Sequence, residues 1–190
     1  MQLKSHSPKF CRGFNLIEVM VALIVISVGL LGIARMQALA MASTATAKTR
    51  SIAALEAAGL ASALRADRNY WSAITTNKVK VTFTNGAIAS TAGDANLQAA
   101  VTAAVACNSA AAPCSSVQIA AYDLNDWVTN SLAPQMPTHQ VTLTCTPQTG
   151  AVVVPVTCSI LMTWSENRVG VNAQSDGTQL PVGYNLYVEP

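Results

Sequence analysis

Residues 14–34, FNLIEVMVALIVISVGLLGIA, are apolar along their whole length except for one charged side chain, Glu18, and Arg35 closes the run. Twenty-one residues at 1.5 Å per residue make about 31 Å of helix, enough to cross the hydrocarbon core of a bilayer. From Arg35 to Arg68 the chain has no proline and much alanine. Met36, Leu39 and Ala40 continue one face, and Ile52, Leu55, Gly59, Leu60 and Leu64 recur at three- and four-residue steps. Lys48, Arg50, Glu56, Ser62 and Arg65 take the polar positions. The pattern predicts one helix from Phe14 to near Asp67, apolar on every side in its first half and amphipathic in its second. Gly29 and Gly32 weaken its middle by about 1 kcal/mol each relative to alanine.

The period then changes. Val79, Val81 and Phe83 alternate with Lys80, Thr82 and Thr84 before Asn85-Gly86, which predicts a strand and a tight turn. Residues 87–115 are small and alanine-rich, with Asp94 placed to cap a short helix ending near Cys107. Val117, Ala120, Ala121, Leu124, Trp127, Val128 and Leu132 follow helical spacing, with Ser115 or Ser116 as the cap and Pro134 as the stop. Trp127 lies on that apolar stripe, which makes it a core anchor against a sheet. Val141, Leu143 and Cys145 form an alternating strand, and Val152, Val154, Val156, Cys158, Ile160, Met162 and Trp164 form another. If Cys145 faces Cys158 in an antiparallel pair, Leu143 faces Ile160 and Val141 faces Met162, so every apolar partner matches. Opposed Cα atoms in such a pair are about 4.5–5.5 Å apart, within disulfide reach. A tighter hairpin turning at Thr149-Gly150 would put Cys145 opposite Val152 or Val153 and exclude that bond. Residues 183–190 alternate again and predict a last strand.

Composition sharpens this picture in two places. Of 11 basic residues, Lys4, Lys9 and Arg12 precede the apolar run, leaving 8 basic against 9 acidic residues from Phe14 onward. The basic excess therefore belongs to a leader and bears on membrane orientation rather than on nucleic acid. Cysteine divides the same way: Cys11 is in the leader, while Cys107, Cys114, Cys145 and Cys158 form an even set suited to two disulfides in an oxidising compartment. Cys107 and Cys114 enclose a small loop containing Pro113. Four cysteines allow three pairings.

A cleaved secretory signal has an apolar core of about 7–15 residues and a small-residue cleavage site. Ala38-Leu39-Ala40 and Ala40-Met41-Ala42 imitate such a site, but the apolar run is long and Glu18 interrupts it near its entrance. Lys9-Phe10-Cys11-Arg12-Gly13 followed by Phe14-Asn15-Leu16-Ile17-Glu18-Val19-Met20-Val21-Ala22-Leu23 resembles the class III leader of type IV pilins and pseudopilins. The resemblance implies cleavage by a prepilin peptidase between Gly13 and Phe14, N-methylation of Phe14, and a match of Glu18 to the glutamate five residues into the mature chain. Many pilins carry a proline near the level of Arg35, and this chain departs from them there. Asp123-Leu124-Asn125-Asp126-Trp127, the Cys145/Cys158 hairpin and the tyrosine-rich C-terminus resemble the PilV branch of minor pilins, the type IV pilus modification proteins.

The expectation is an α+β, pilin-like subunit. Its parts are a leader (1–13), a transmembrane segment (14–34), an amphipathic distal helix (35–68) and a periplasmic head with an antiparallel sheet (69–190). The resemblance implies insertion in the inner membrane with the leader cytoplasmic, then incorporation into a pilus. The implied partners are the bilayer, the major pilin, other minor pilins and the inner-membrane assembly machinery. A carboxylate in hydrocarbon costs about 2.5–3.5 kcal/mol on insertion scales. Glu18 would therefore sit at headgroup level or meet a cation, and the α-amino group freed at Phe14 of a neighbouring subunit would be such a partner. Recognition by assembly partners is its other possible role. Catalysis has poor support. His139 is the one histidine after the leader and suits a surface or turn role, while Asp123 and Asp126 suit a solvated helix face. No metal-ligand cluster, cofactor motif or nucleic-acid footprint stands out. Two other readings share part of the pattern: a type II secretion pseudopilin, and a membrane-tethered periplasmic enzyme or binding domain.

Overall fold

The computed structural model describes residues 13–75, 77–104, 106–108, 113–136, 138–147, 154–167 and 179–190. The leader up to Arg12, and Val152, lie outside these residues. By packing, the chain divides into a unit ending at Ser43 and a unit of Thr44–Pro190.

Helix α1 (Leu16–Ala66) runs without a break through Gly29, Gly32 and Arg35. In the first unit its side chains are exposed on all sides, Leu16, Ile17, Leu23, Ile24, Leu30 and Leu31 among them. The one hydroxyl in its apolar stretch, that of Ser27, donates back to the Leu23 carbonyl at 2.6 Å and so needs no outside acceptor.

In the second unit the same helix buries Ala53, Glu56, Ala57, Leu60, Ala61 and Leu64. This corrects the sequence reading, because Leu55 is 68% exposed and Gly59 is exposed. Glu56, expected at a polar position, is buried. The packed stripe is drawn by alanines, whose small side chains let neighbouring backbone come close, and hydropathy weighting ranks them below leucine.

Past α2 (Arg68–Trp71), the hairpin β1 (Val79–Thr84) and β2 (Ala87–Ala92) turns through Asn85 and Gly86, both at positive φ (49° and 86°). That is the backbone a two-residue hairpin needs, and Asn-Gly supplies it with little strain. Gly93 is fixed by space as well, since a Cβ there would lie 2.1 Å from the Lys78 carbonyl oxygen. Helix α3 (Ala95–Ala103) starts at Asp94, whose Oδ1 accepts from the Asn96 and Leu97 N–H groups. It ends at Ala103, four residues before Cys107, with Ala104 in the left-handed conformation as its cap.

Helix α4 (Ser116–Asp126) follows its cap Ser115, whose backbone N–H donates to the Gln118 side-chain oxygen. It continues as a π-helical segment (Trp127–Leu132) and then as α5 (Ala133–Gln135). Pro134 therefore does not stop the helix at its own position; it lies in α5, directly after the π-helical segment, and the helix ends one residue later at Gln135.

Strands β3 (His139–Thr146), β4 (Thr157–Asn167) and β5 (Gln179–Val188) complete a five-stranded antiparallel sheet in the order β2-β1-β3-β4-β5. β3 and β4 pair with Leu143 opposite Ile160, Val141 opposite Met162, and Cys145 opposite Cys158, which are disulfide-bonded. Cys107 and Cys114 form the second disulfide. β4 begins only at Thr157, so Val154 lies outside it and is exposed, whereas Val156 is buried. The inner face of the sheet, the buried stripe of α1, α4 and the π-helical segment share one core. Trp127 is buried in it, edge-on to Phe83 with ring centroids 5.4 Å apart.

The stripe has a direct test. Leu60→Ala should lower stability by about 2–5 kcal/mol, the range for emptying a buried leucine site. Leu55→Ala should change it by less than about 0.5 kcal/mol, as surface substitutions do. Thermal melts of the detergent-solubilised chain, read by circular dichroism, check both.

Candidate processing and assembly segment

In the first unit, Gly13, Phe14 and Asn15 precede α1 in non-helical, exposed backbone. Asn15 starts the helix, its carbonyl accepting from the N–H groups of Glu18 at 3.0 Å and Val19 at 3.3 Å. The Gly13–Phe14 bond thus lies outside the helical ladder. Phe14 is 83% exposed. Glu18 falls in the first turn of α1, where the unpaired N–H groups of a helix end favour negative charge. It is exposed and stands four residues after Phe14, about one helical turn. Cleavage after Gly13 would leave an α-amino cation and a carboxylate at the same end of an otherwise uncharged rod.

In the second unit, three polar contacts hold the distal part of α1. The buried Glu56 carboxylate accepts from Ser131 Oγ at 2.8 Å and from Gln135 Nε2 at 2.7 Å. One residue supplying an acceptor is in the π-helical segment's reach twice over, because the Trp127 indole N–H donates to the Glu56 backbone carbonyl at 3.1 Å. Glu56 makes no ion pair among the described residues; its burial is compensated by neutral donors. Farther toward the N-terminus, Arg50 grips Glu166 of β4 with two hydrogen bonds, Nε to Oε1 at 3.0 Å and a terminal nitrogen to Oε2 at 2.8 Å. The Trp164 indole N–H adds a third to Oε1 at 2.9 Å. These contacts hold the Glu166 carboxyl below its ordinary range.

The end of α1 carries the opposite situation. Asp67 is buried, its Oδ2 has no hydrogen-bond partner among the described residues, and burial, with the charge of Asp123 added, pushes its carboxyl up to about 6. Burial raises Asp123 too, with the nearby charge of Asp126 a second cause. Asp123 is half-buried and thus not part of a solvated face, unlike the exposed Asp126, which accepts from Asn130 Nδ2 at 2.7 Å. The Tyr70 phenol donates to Asp94 Oδ2 at 2.8 Å and, being largely desolvated, is held above its usual range.

His139 also departs from expectation. It is buried at the head of β3, with Nδ1 against the Met136 carbonyl and Nε2 unpartnered. The turn role stands and the surface role does not: pairing of β3 between β1 and β4 draws its first residue under the helical layer. Arg50, Glu56, Asp67 and Glu166 were not singled out as a set by the sequence. The signal available was a lone glutamate in an alanine-rich helical stripe.

Residues 8–34 match the family model for the prokaryotic N-terminal methylation motif. The chain thus has a type IV pilin-like prepilin leader followed by a long apolar helix, on an α+β, pilin-like fold. α1 is long and apolar enough to cross a membrane, consistent with membrane anchoring. The motif supports a pilin- or pseudopilin-like protein and implies processing by a prepilin peptidase and assembly with pilus-type machinery. Comparison with curated proteins and with solved structures yields no match.

Asp67 makes stability depend on pH in a defined direction. Its folded carboxyl titrates above the unfolded one, so ionising it costs more in the fold, and this contribution to stability falls as pH rises from about 4 to about 6. Asp67→Asn should flatten that decline and stabilise the chain at pH 7 relative to wild type, as seen in melts at pH 4, 5, 6 and 7.

Proposed function

We propose that this chain is a minor pilin of the PilV type, which enters the inner membrane with its leader cytoplasmic, is processed, and takes part in initiating or supporting type IV pilus assembly. The observation that carries the reading is the coincidence of four independent features within one short segment. These are a basic leader ending in Gly13, Phe14 in non-helical exposed backbone, Glu18 in the first helical turn, and an apolar helix exposed on every side among the described residues.

In this reading prepilin peptidase hydrolyses the Gly13–Phe14 bond and Phe14 becomes the methylated N-terminus. The helix then leaves lipid to pack among the helices of other minor pilins and the major pilin. Glu18 pairs there with the α-amino group of a neighbouring subunit. Two uncharged rods slide past one another with little resistance, whereas one ion pair in an apolar surround fixes their stagger. The head, stabilised by its disulfides, is the part presented in the periplasm and at the cell surface.

Mass spectrometry of the mature protein should find methylated Phe14 at its N-terminus, and a start near Met41 would reject the reading. Glu18→Gln should leave cleavage intact and reduce incorporation into sheared pili by at least about tenfold, the effect of losing roughly 1.4 kcal/mol of subunit contact. Co-purification with secretion subunits, and loss of secretion rather than of twitching motility on deletion, would assign the chain to a type II secretion system instead.

A further inference from the structure

The two edges of the sheet differ. β2 is guarded: its register on β1 shifts between Thr82 and Phe83, and α3 packs against it. β5 pairs with β4 in unbroken register from Gln179 to Val188 and has no strand on its other side. Which of its backbone groups point to that open side follows from one bond. The Asn85 N–H donates to the carbonyl of His139, the residue that the β1–β3 register sets opposite it. Residues opposed in this way exchange both main-chain bonds, and the bonded side alternates along each strand. Odd-numbered residues of β3 therefore turn their N–H and C=O to β1, and even-numbered ones turn theirs to β4. Carried through the regular β3–β4 and β4–β5 registers, this leaves the even-numbered residues of β5 bonded to β4. Pro181, Gly183, Asn185 and Tyr187 face the open edge. Pro181 fits there, since its missing N–H costs the ladder nothing. Among the described residues nothing bonds to this edge.

A long open edge is normally blunted by charge, proline or a bulge. From Pro181 to Val188 the sequence PVGYNLYV has no charged side chain, and proline stands only at its start. Set antiparallel to itself about Asn185, the strand is its own complement. On the core side Tyr184 meets Leu186 of the second copy and Val182 meets Val188, all apolar side chains packed at the rim of the core. On the other side Tyr187, 68% exposed, lies over Gly183 of the second copy, an aromatic ring covering bare backbone. Shifting the pairing by two residues keeps apolar neighbours on the core side but takes Tyr187 off Gly183. Glu189, just past the strand, falls opposite Pro181 of the second copy. The two Glu189 carboxylates are then about 27 Å apart along the strands, so like charges do not meet.

We propose that β5 is a self-pairing edge: two copies of this chain join β5 to β5, antiparallel about Asn185, into one continuous sheet. About six main-chain hydrogen bonds close it, from the Gly183–Tyr187 and Asn185–Asn185 pairs across the two copies. The two-fold axis stands normal to the sheet. The buried stripe of α1 packs on the inner face of that sheet, so the direction of this helix reverses between the copies. The partners thus stand in two membranes or two filaments that meet, and not side by side in one. The pairing involves neither Glu18 nor processing at Gly13, so it holds or fails apart from the pilin reading.

Sedimentation velocity of the full chain in detergent, over a range of concentrations, tests the pairing. The expected result is a monomer–dimer equilibrium in which Asn185→Pro raises the dissociation constant by about tenfold or more. Proline at this position removes an edge N–H and no ladder bond, so the thermal melt should stay close to that of wild type. A second arm does not depend on that variant folding. With Cys11→Ser as background, a short bismaleimide should join Asn185→Cys into dimers and leave Thr142→Cys, in the middle of the same sheet, monomeric. A monomer at every concentration would overturn the proposal. So would a dimer that survives Asn185→Pro, as one held by the apolar part of α1 would, or cross-linking at position 185 no greater than at position 142.

Discussion

A helix that is apolar on every side for some twenty residues has no stable place in water, and nothing among the described residues of its own unit covers it. In most small domains an exposed leucine needs no explanation because it is alone. Here the exposed residues are consecutive, from Leu16 to Ile33, and no other described residue of the first unit covers them. That surface has to be satisfied by lipid or by other helices of the same kind. Either medium makes the single carboxylate near its start expensive unless a cation meets it.

The second unit solves a different problem, keeping the distal part of α1 fixed to a sheet although half of its packed stripe is alanine. Alanine buries little area, so polar contacts take over positioning. The carboxylate of Glu56 is enclosed by two neutral donors, and the backbone carbonyl of the same residue is held by Trp127. Three hydrogen bonds converge on Glu166. Hydrogen bonds of this kind are directional, whereas an alanine stripe slides easily. The π-helical segment places Ser131 on the side of its helix where it reaches Glu56, a placement that an unbroken α-helical period would rotate away.

Much of this was legible in the sequence. The long helix, the Asn85-Gly86 hairpin, the register of β3 on β4 and the core position of Trp127 all follow from periodicity, because each depends on local pattern. The misses share a cause. Leu55 was placed on the buried stripe and Glu56 off it because hydropathy ranks residues by type, whereas the stripe is set by which side of the helix faces the sheet. His139 was read as surface because a lone histidine near a turn carries no mark of what lies above it. Pro134 was read as a stop when a π-helical segment had already reset the helical phase before it. Asp67 and Asp123 are 56 residues apart in sequence, and nothing local relates them.

The bond between Cys145 and Cys158 joins the two strands at the middle of the sheet. Tension applied through the ends of the polypeptide passes across this cross-link and bypasses the intervening segment, which cannot be drawn out however hard the ends are pulled. If β5 were peeled from the edge under load, the pull would next strip β4 from β3, from Trp164 back towards Ile160, and extension would halt at Cys158. A subunit built this way can lose its last two strands to mechanical strain and keep Cys145 and Cys158 in register for their return.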